Sequence, residues 1–177
     1  MIETILVIGG CRSGKSRHAL HLTEQVPGKK IFIATCIPQD NEMEQRVRHH
    51  QQQRSDTWKT IEVPILLPEA IDTYGVKGNV LLVDCLTLWI NNLILHEQDL
   101  TKIDTHIAAL TRSLEKIECP VILVSNEVGC GIVPENDIAR RFRDIAGFTN
   151  QKVADAADRV IWMVTGIPVT VKVPKVI

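Results

Sequence analysis

At 177 residues the chain is long enough for one well-filled hydrophobic core and cramped for two, so a single domain over 1–177 is expected. Its formal charge is -1 and 45% of its residues are hydrophobic, which argues against the basic stripe of a nucleic-acid-binding protein and against any general attraction to acidic lipid. The five cysteines (11, 36, 85, 119 and 130) contain no C-x-x-C pair, so neither a disulfide framework nor a zinc site is expected; most read as small buried fillers.

The N-terminal MIETILVIGG has no basic n-region and no small-residue cleavage site, and its glycines cut the apolar run short. No signal peptide and no membrane insertion are read there, and a cytoplasmic protein is expected. ILVI at 5–8 is the first of several short runs that are apolar throughout; VLLV at 80–83, VILV at 121–124 and VIWMV at 160–164 follow, with IFIAT at 31–35 as a fifth. Strands buried on both faces look like this, and they occur in parallel sheets with helices on each side. The expected fold is α/β, a mainly parallel sheet flanked by helices.

After the first run comes Gly9-Gly10-Cys11-Arg12-Ser13-Gly14-Lys15-Ser16, the G-x-x-x-x-G-K-[ST] pattern, followed by the helix-like RHALHLTE that stops by Pro27-Gly28. Glycines let successive backbone N–H groups turn toward one anion, and the helix N-terminus adds its positive end. The Lys15 ammonium is expected on the β- and γ-phosphates and the Ser16 hydroxyl on Mg²⁺. The pattern implies a nucleoside triphosphate with magnesium, and fixes neither the base nor the acceptor. Ser13 reads as structural, and Arg12 as touching either phosphate or water.

Residues 41–54, NEMEQRVRHHQQQR, offer only Met43 and Val47 as apolar residues. A helix here sets Arg46, His50 and Arg54 at four-residue spacing, with His49 three after Arg46. Such a segment is either a solvated face or the lining of a polyanion site, where a neutral imidazole can attack phosphorus. VLLVDC then puts Asp84 at the carboxyl end of a buried strand, where ligands of open parallel sheets bind. It reads as a magnesium-shell acid or as a cap on the following TLWINNLI helix, on which Asn91 and Asn92 fall.

Ile103, Ile107, Leu110, Leu114 and Ile117 form the stripe of an amphipathic helix. SNEVGCGIVPEN at 125–136 follows a buried run; Gly129 and Gly131 suggest tight turns or a close approach to ligand, and Asn126 and Glu127 are the polar groups nearest the strand end. The arginines after it (140, 141, 143) face either phosphate or a neighbouring subunit. Residues 135–158 are helical in pattern, with Gly147 a possible interruption. VTVKVPKV at 169–176 alternates as a last, near-edge strand.

Together these segments resemble the bifunctional adenosylcobinamide kinase/adenosylcobinamide-phosphate guanylyltransferase family of cobalamin biosynthesis. The resemblance rests on GGCRSGKSRHAL (9–20), IAT (33–35), DNEMEQRVRHHQQQR (40–54), the Trp58–Glu62 run, the strand-end acid, and SNEVGCGIVPEN with the ARRFRDIAGFTNQKVADAADRV stretch reaching residue 160. It implies a RecA-like P-loop fold and a homotrimer. It also implies two reactions. A hydroxyl of adenosylcobinamide takes the γ-phosphate of ATP or GTP; GTP then gives GMP to a histidine, and adenosylcobinamide phosphate attacks that guanylyl-histidine to form adenosylcobinamide-GDP. The match places the guanylylated residue at His49 and the strand-end acid at Asp84. Nucleotide contacts are expected from residues 9–16, Thr35, Arg46, His50, Arg54, Glu62, Asp84, Asn126 and Glu127. The family often has alanine where Cys11 stands and glutamate where Asp84 stands. The alternative is a P-loop small-molecule kinase or NTPase without nucleotidyl transfer. A GTP-dependent switch protein is disfavoured because the sequence has no N-K-x-D guanine-reading motif.

Overall fold

The structure, a computed structural model, describes residues 2–38, 57–97 and 99–174. Each apolar run forms a strand: β1 (Thr4–Gly9), β2 (Lys29–Ala34), β4 (Asn79–Asp84), β5 (Val121–Asn126) and β6 (Arg159–Val164). With β3 (Lys59–Glu62) and β7 (Ile167–Lys172) they make a seven-stranded sheet of order β3-β2-β4-β5-β1-β6-β7. All pairings are parallel except β6 with β7. Parallel pairing explains the unbroken apolar runs of β1, β2, β4 and β5, whose two faces are covered; β6, expected to be buried on both faces, instead leaves Trp162 and Val164 exposed beside the antiparallel β7.

One face packs against α1 (Lys15–Gln25) through Ile5, Val7, Leu82, Ile122 and Val124. The other carries the larger core, in which Leu6, Ile33, Leu81, Val83 and Leu123 meet four helices: α2 (Leu67–Tyr74), α3 (Leu86–His96), α4 (Leu100–Glu115) and α5 (Asp137–Ala156). The stripe Ile103, Ile107, Leu110 and Leu114 is the buried side of α4, while Ile117 lies beyond the helix end. Asp99 caps α4 by accepting from the Thr101 N–H, and Asn136 caps α5 by accepting from Ile138 and Ala139.

Gly147 does not interrupt α5. Ala146, Thr149, Asn150 and Val153 keep one face of the helix buried across it, and a side chain at 147 would meet nothing within 4 Å. The tail strand begins at Ile167, two residues before the alternating pattern, because Thr165 and Gly166 turn it back on β6 with positive φ angles of 51° and 86°. β3 and α2 were not read from the sequence. β3 is a four-residue edge strand of largely exposed residues, and α2, although one face is buried, has only eight residues, too few for a period to stand out.

α3 starts directly after the strand that ends in Asp84. Its N-cap position is Cys85, not Asp84, so the cap reading of the aspartate does not hold. The helix is fixed by Trp89, which is fully buried and donates its indole N–H to the Ile65 carbonyl at 2.7 Å. Trp89→Phe is expected to lower unfolding free energy by about 1–3 kcal/mol, from the lost hydrogen bond and the gap left behind, as measured by urea titration.

Candidate active site

The register aligns the carboxyl ends of the parallel strands. Glu62 pairs with Ala34, Ala34 with Asp84, Asp84 with Val124, and Gly9 with Asn126. Strands lie about 4.8 Å apart, so Asn126 stands one spacing from the loop-bearing strand, Asp84 about 10 Å from it, and Glu62 about 19 Å away. The loop, the acid and the amide therefore share one neighbourhood. Glu62, exposed on the edge strand, does not belong to it in this chain alone.

Gly9 has no room for a side chain: a Cβ there would lie 2.6 Å from Ser13 Oγ and 2.7 Å from the Met163 carbonyl. Gly14 has a φ of 90°, a left-handed conformation that glycine tolerates, and it ends the loop as the N-cap of α1. The loop is pinned from several sides. Ser13 N–H donates to Gly10 O at 3.3 Å, Gly166 N–H to Ser13 O at 3.0 Å, and Glu127 N–H to Gly9 O at 3.0 Å. Ser13 is buried and its hydroxyl, packed over Gly9, has no hydrogen-bond partner among the described residues. Cys11 and Arg12 are exposed, and Arg12 has a positive φ of 54°.

No side chain caps α1, and its first turn carries no acidic residue. The positive end of that helix therefore faces the loop uncompensated. Lys15 is half-buried and its Nζ donates to Gly10 O at 3.0 Å, which holds the ammonium over the loop. Ser16, in the first turn, is half-buried as well.

One expected contact is corrected, and a second polar residue near the edge is also committed to the fold. Thr35 is fully buried; its hydroxyl donates to Cys85 O at 2.7 Å and accepts from Cys85 N–H at 2.8 Å, so it has no free face for a nucleotide. Asn92 is buried too, its amide donating to Thr35 O at 2.7 Å and Pro64 O at 3.1 Å, so it does not reach a substrate. Asn126 remains half-buried, with its amide on Thr87 Oγ1 at 2.6 Å. Glu127 turns back on its own loop, accepting from Gly129 N–H at 2.6 Å. Two of the arginines brace that loop: Arg143 donates to Gly129 O, and Arg140 to the carbonyls of Pro134 and Glu135 and to Asp137. Thr87, Asn150 and Gly166 were missed, because a buried polar partner and a hairpin turn leave no local sequence signal.

Burial, reinforced by the Asp84 charge, pushes the Cys85 thiol up to about 11, so it stays protonated near neutrality and is no nucleophile. Among the described residues no three His, Cys, Asp or Glu side chains form a metal cluster. Ser16 and Asp84 nevertheless fit magnesium, a hard ion that needs few protein oxygens when phosphates and water complete its shell. Arg46, His49, His50 and Arg54 lie outside the described residues.

A glycine loop from a parallel strand into an uncapped helix, with an acid two strands away, defines a P-loop nucleotide-binding protein of the RecA-like arrangement. Solved structures agree on the fold. A KaiC-like protein of Pyrococcus horikoshii superposes with a TM-score of 0.50 at 15% identity, over 90% of this chain and 70% of its own. The type III secretion ATPase EscN of enteropathogenic Escherichia coli gives a TM-score of 0.59 at 10% identity, over 92% of this chain and 43% of its own.

Sequence comparison narrows the class. The model of the cobinamide kinase / cobinamide phosphate guanyltransferase family matches residues 5–171. The bifunctional adenosylcobalamin biosynthesis protein CobP of Pseudomonas aeruginosa is 40% identical over 167 residues, 94% of this chain and 96% of that protein. The bifunctional adenosylcobalamin biosynthesis protein CobU of Salmonella typhimurium is 41% identical over 180 residues, 95% of this chain and 99% of that protein. The chain belongs to the cobinamide kinase / cobinamide phosphate guanyltransferase family.

Gly9→Ala tests the loop. It is expected to lower nucleotide affinity by at least about tenfold and stability by about 1–3 kcal/mol, because the added methyl displaces Ser13 or the β6 backbone. Titration with a fluorescent nucleotide and urea unfolding measure the two effects.

Proposed function

We propose that the whole chain works as one nucleotide-binding domain that phosphorylates adenosylcobinamide, with ATP or GTP as donor, and then transfers GMP from GTP to the product. The observation that carries this reading is the shared edge of phosphate loop, Lys15 and Asp84 in a chain matched almost end to end by bifunctional relatives.

In the kinase step the substrate hydroxyl oxygen bonds to the γ-phosphorus as the bond to the β,γ-bridging oxygen breaks, the nucleoside diphosphate leaves and the hydroxyl proton passes to water. Loop N–H groups, the α1 terminus and Lys15 meet the charge that grows on the transferring group. Ser16 and Asp84 would hold Mg²⁺, which supplies electrostatic neutralisation of the phosphates. In the second reaction a neutral imidazole nitrogen of His49 forms a bond to the α-phosphorus of GTP as the bond to the bridging oxygen breaks and pyrophosphate leaves. The same loop and Lys15 stabilise that leaving group. A phosphate oxygen of adenosylcobinamide phosphate then attacks, the P–N bond breaks, and His49 is regenerated. Arg46 and Arg54 supply positive charge to this step, His50 contacts the nucleotide, and Asn126 and Glu127 border it.

The proposed assembly is a homotrimer. What supports association is an apolar face on the edge hairpin: Trp162 pairs with Val169 and Val164 with Ile167, and all four side chains are exposed. No helix among the described residues is long and apolar enough to cross a membrane.

Incubation with α-labelled GTP tests the transfer reaction. The wild-type chain is expected to take up acid-labile, base-stable label that adenosylcobinamide phosphate discharges. His49→Ala should abolish labelling and keep kinase activity, His50→Ala should keep labelling, and Lys15→Ala should depress both reactions by at least about tenfold. Label in the His49→Ala protein overturns the carrier assignment, and an unlabelled wild type with kinase activity favours the plain kinase. For the assembly, sedimentation should give three times the 19.8 kDa chain mass, shifted toward monomer by Ile167→Asp; a wild-type monomer overturns it.

A further inference from the structure

Thr35 belongs to a buried polar brace beneath the carboxyl edge of the sheet. Its hydroxyl holds both ends of Cys85, donating to the carbonyl at 2.7 Å and accepting from the N–H at 2.8 Å. That N–H belongs to the peptide that joins Cys85 to Asp84. Asn92, from α3, holds the Thr35 carbonyl at 2.7 Å, so Thr35 is itself fixed in place. On the other side Cys85 Sγ lies 3.1 Å from Thr87 Oγ1, which accepts from the Asn126 amide at 2.6 Å. Thr35 is 0% exposed, Cys85 5%, Thr87 4% and Asn92 6%.

Buried polar groups without partners are costly, so this set locks the backbone that follows Asp84 into one arrangement. The hydroxyl is 50 residues from Cys85 in sequence and comes from the neighbouring strand, where Ala34 pairs with Asp84. Its two bonds therefore fix the direction in which the aspartate leaves the sheet, while its methyl and hydroxyl remain away from solvent.

We propose that Thr35 is a positioning residue for Asp84: its hydroxyl sets the carboxylate where the metal-bound triphosphate meets the phosphate loop. The proposal rests on the reading of Asp84 as the acid that faces this metal. An outer group that orients a metal-facing carboxylate changes metal affinity when removed, even though it touches neither metal nor nucleotide.

The test is binding, measured without turnover. Mn²⁺ is titrated by electron paramagnetic resonance into the protein saturated with a β,γ-imido GTP analogue, and affinity for the analogue is measured separately without metal. Thr35→Val keeps the volume and loses both bonds; it is expected to weaken Mn²⁺ binding by about tenfold or more with little change in metal-free analogue affinity. Thr35→Ser keeps the hydroxyl and should remain within about twofold of wild type. Thr35→Ala, which also removes the hydroxyl, replaces Thr35→Val if the latter does not fold, with the same expectation. Asp84→Asn, in the same titration, should weaken Mn²⁺ at least as much. Unchanged Mn²⁺ affinity in Thr35→Val beside a weakened Asp84→Asn overturns the positioning role alone. So does equal weakening in Thr35→Ser and Thr35→Val, or parallel loss of metal-free analogue binding. No effect in Asp84→Asn overturns the metal reading and the proposal with it.

Discussion

Parallel register is the constraint on which the site depends. Six strands run the same way, and each pairing step carries one carboxyl end beside the next: Ala34 beside Asp84, Asp84 beside Val124, Gly9 beside Asn126. A one-residue slip in any of these pairs would turn that strand's side chains to the opposite faces and move its end group along the edge. Register is held because both faces are buried. Leu6, Leu81 and Leu123 face one core while Ile5, Val7, Leu82 and Ile122 face the other. The apolar sandwich and the chemistry at its edge are thus set by the same pairing.

At that edge the polar groups divide between those that face the loop and those that hold the others still. The α1 terminus and Lys15 collect positive charge, and Asp84 supplies the negative charge two strands away. Beneath them Thr35, Asn92, Ser125 and Asn150 are buried and bonded to one another or to backbone, and buried Thr87 accepts from the Asn126 amide. Ser125 donates to Asn150, and Asn150 donates to the Asn126 carbonyl, so the strand between loop and acid is tied to α5. A polar network of this kind is stable only when its members are satisfied together, and it then leaves few alternative arrangements open.

The phosphate loop is likewise held by parts of the chain far from it. Gly166, in the β6–β7 turn, and Glu127, after β5, both donate backbone N–H groups into the segment from Gly9 to Ser13. The same hairpin that presents the exposed apolar pairs Trp162–Val169 and Val164–Ile167 therefore touches the loop through its turn. The hairpin also meets the loop where β6 pairs with β1 at Gly9 and Met163.

The sequence by itself determined the parallel α/β class, because runs such as VLLV and VILV lack a polar face and need cover on both sides. It determined the phosphate cradle, because glycine spacing and a following helix are local properties. The amphipathic stripe of α4 was legible for the same reason. Only the tertiary structure decided which candidate polar residues line the edge. Thr35 and Asn92 looked available and are consumed in buried hydrogen bonds, Glu62 was carried about 19 Å along the sheet, and Arg140 and Arg143 turned into braces for their own loop. A hydrophobic period reports which side of an element is buried. The partner of a polar side chain is set by strands and helices that meet it from tens of residues away, and no short stretch of sequence contains that information.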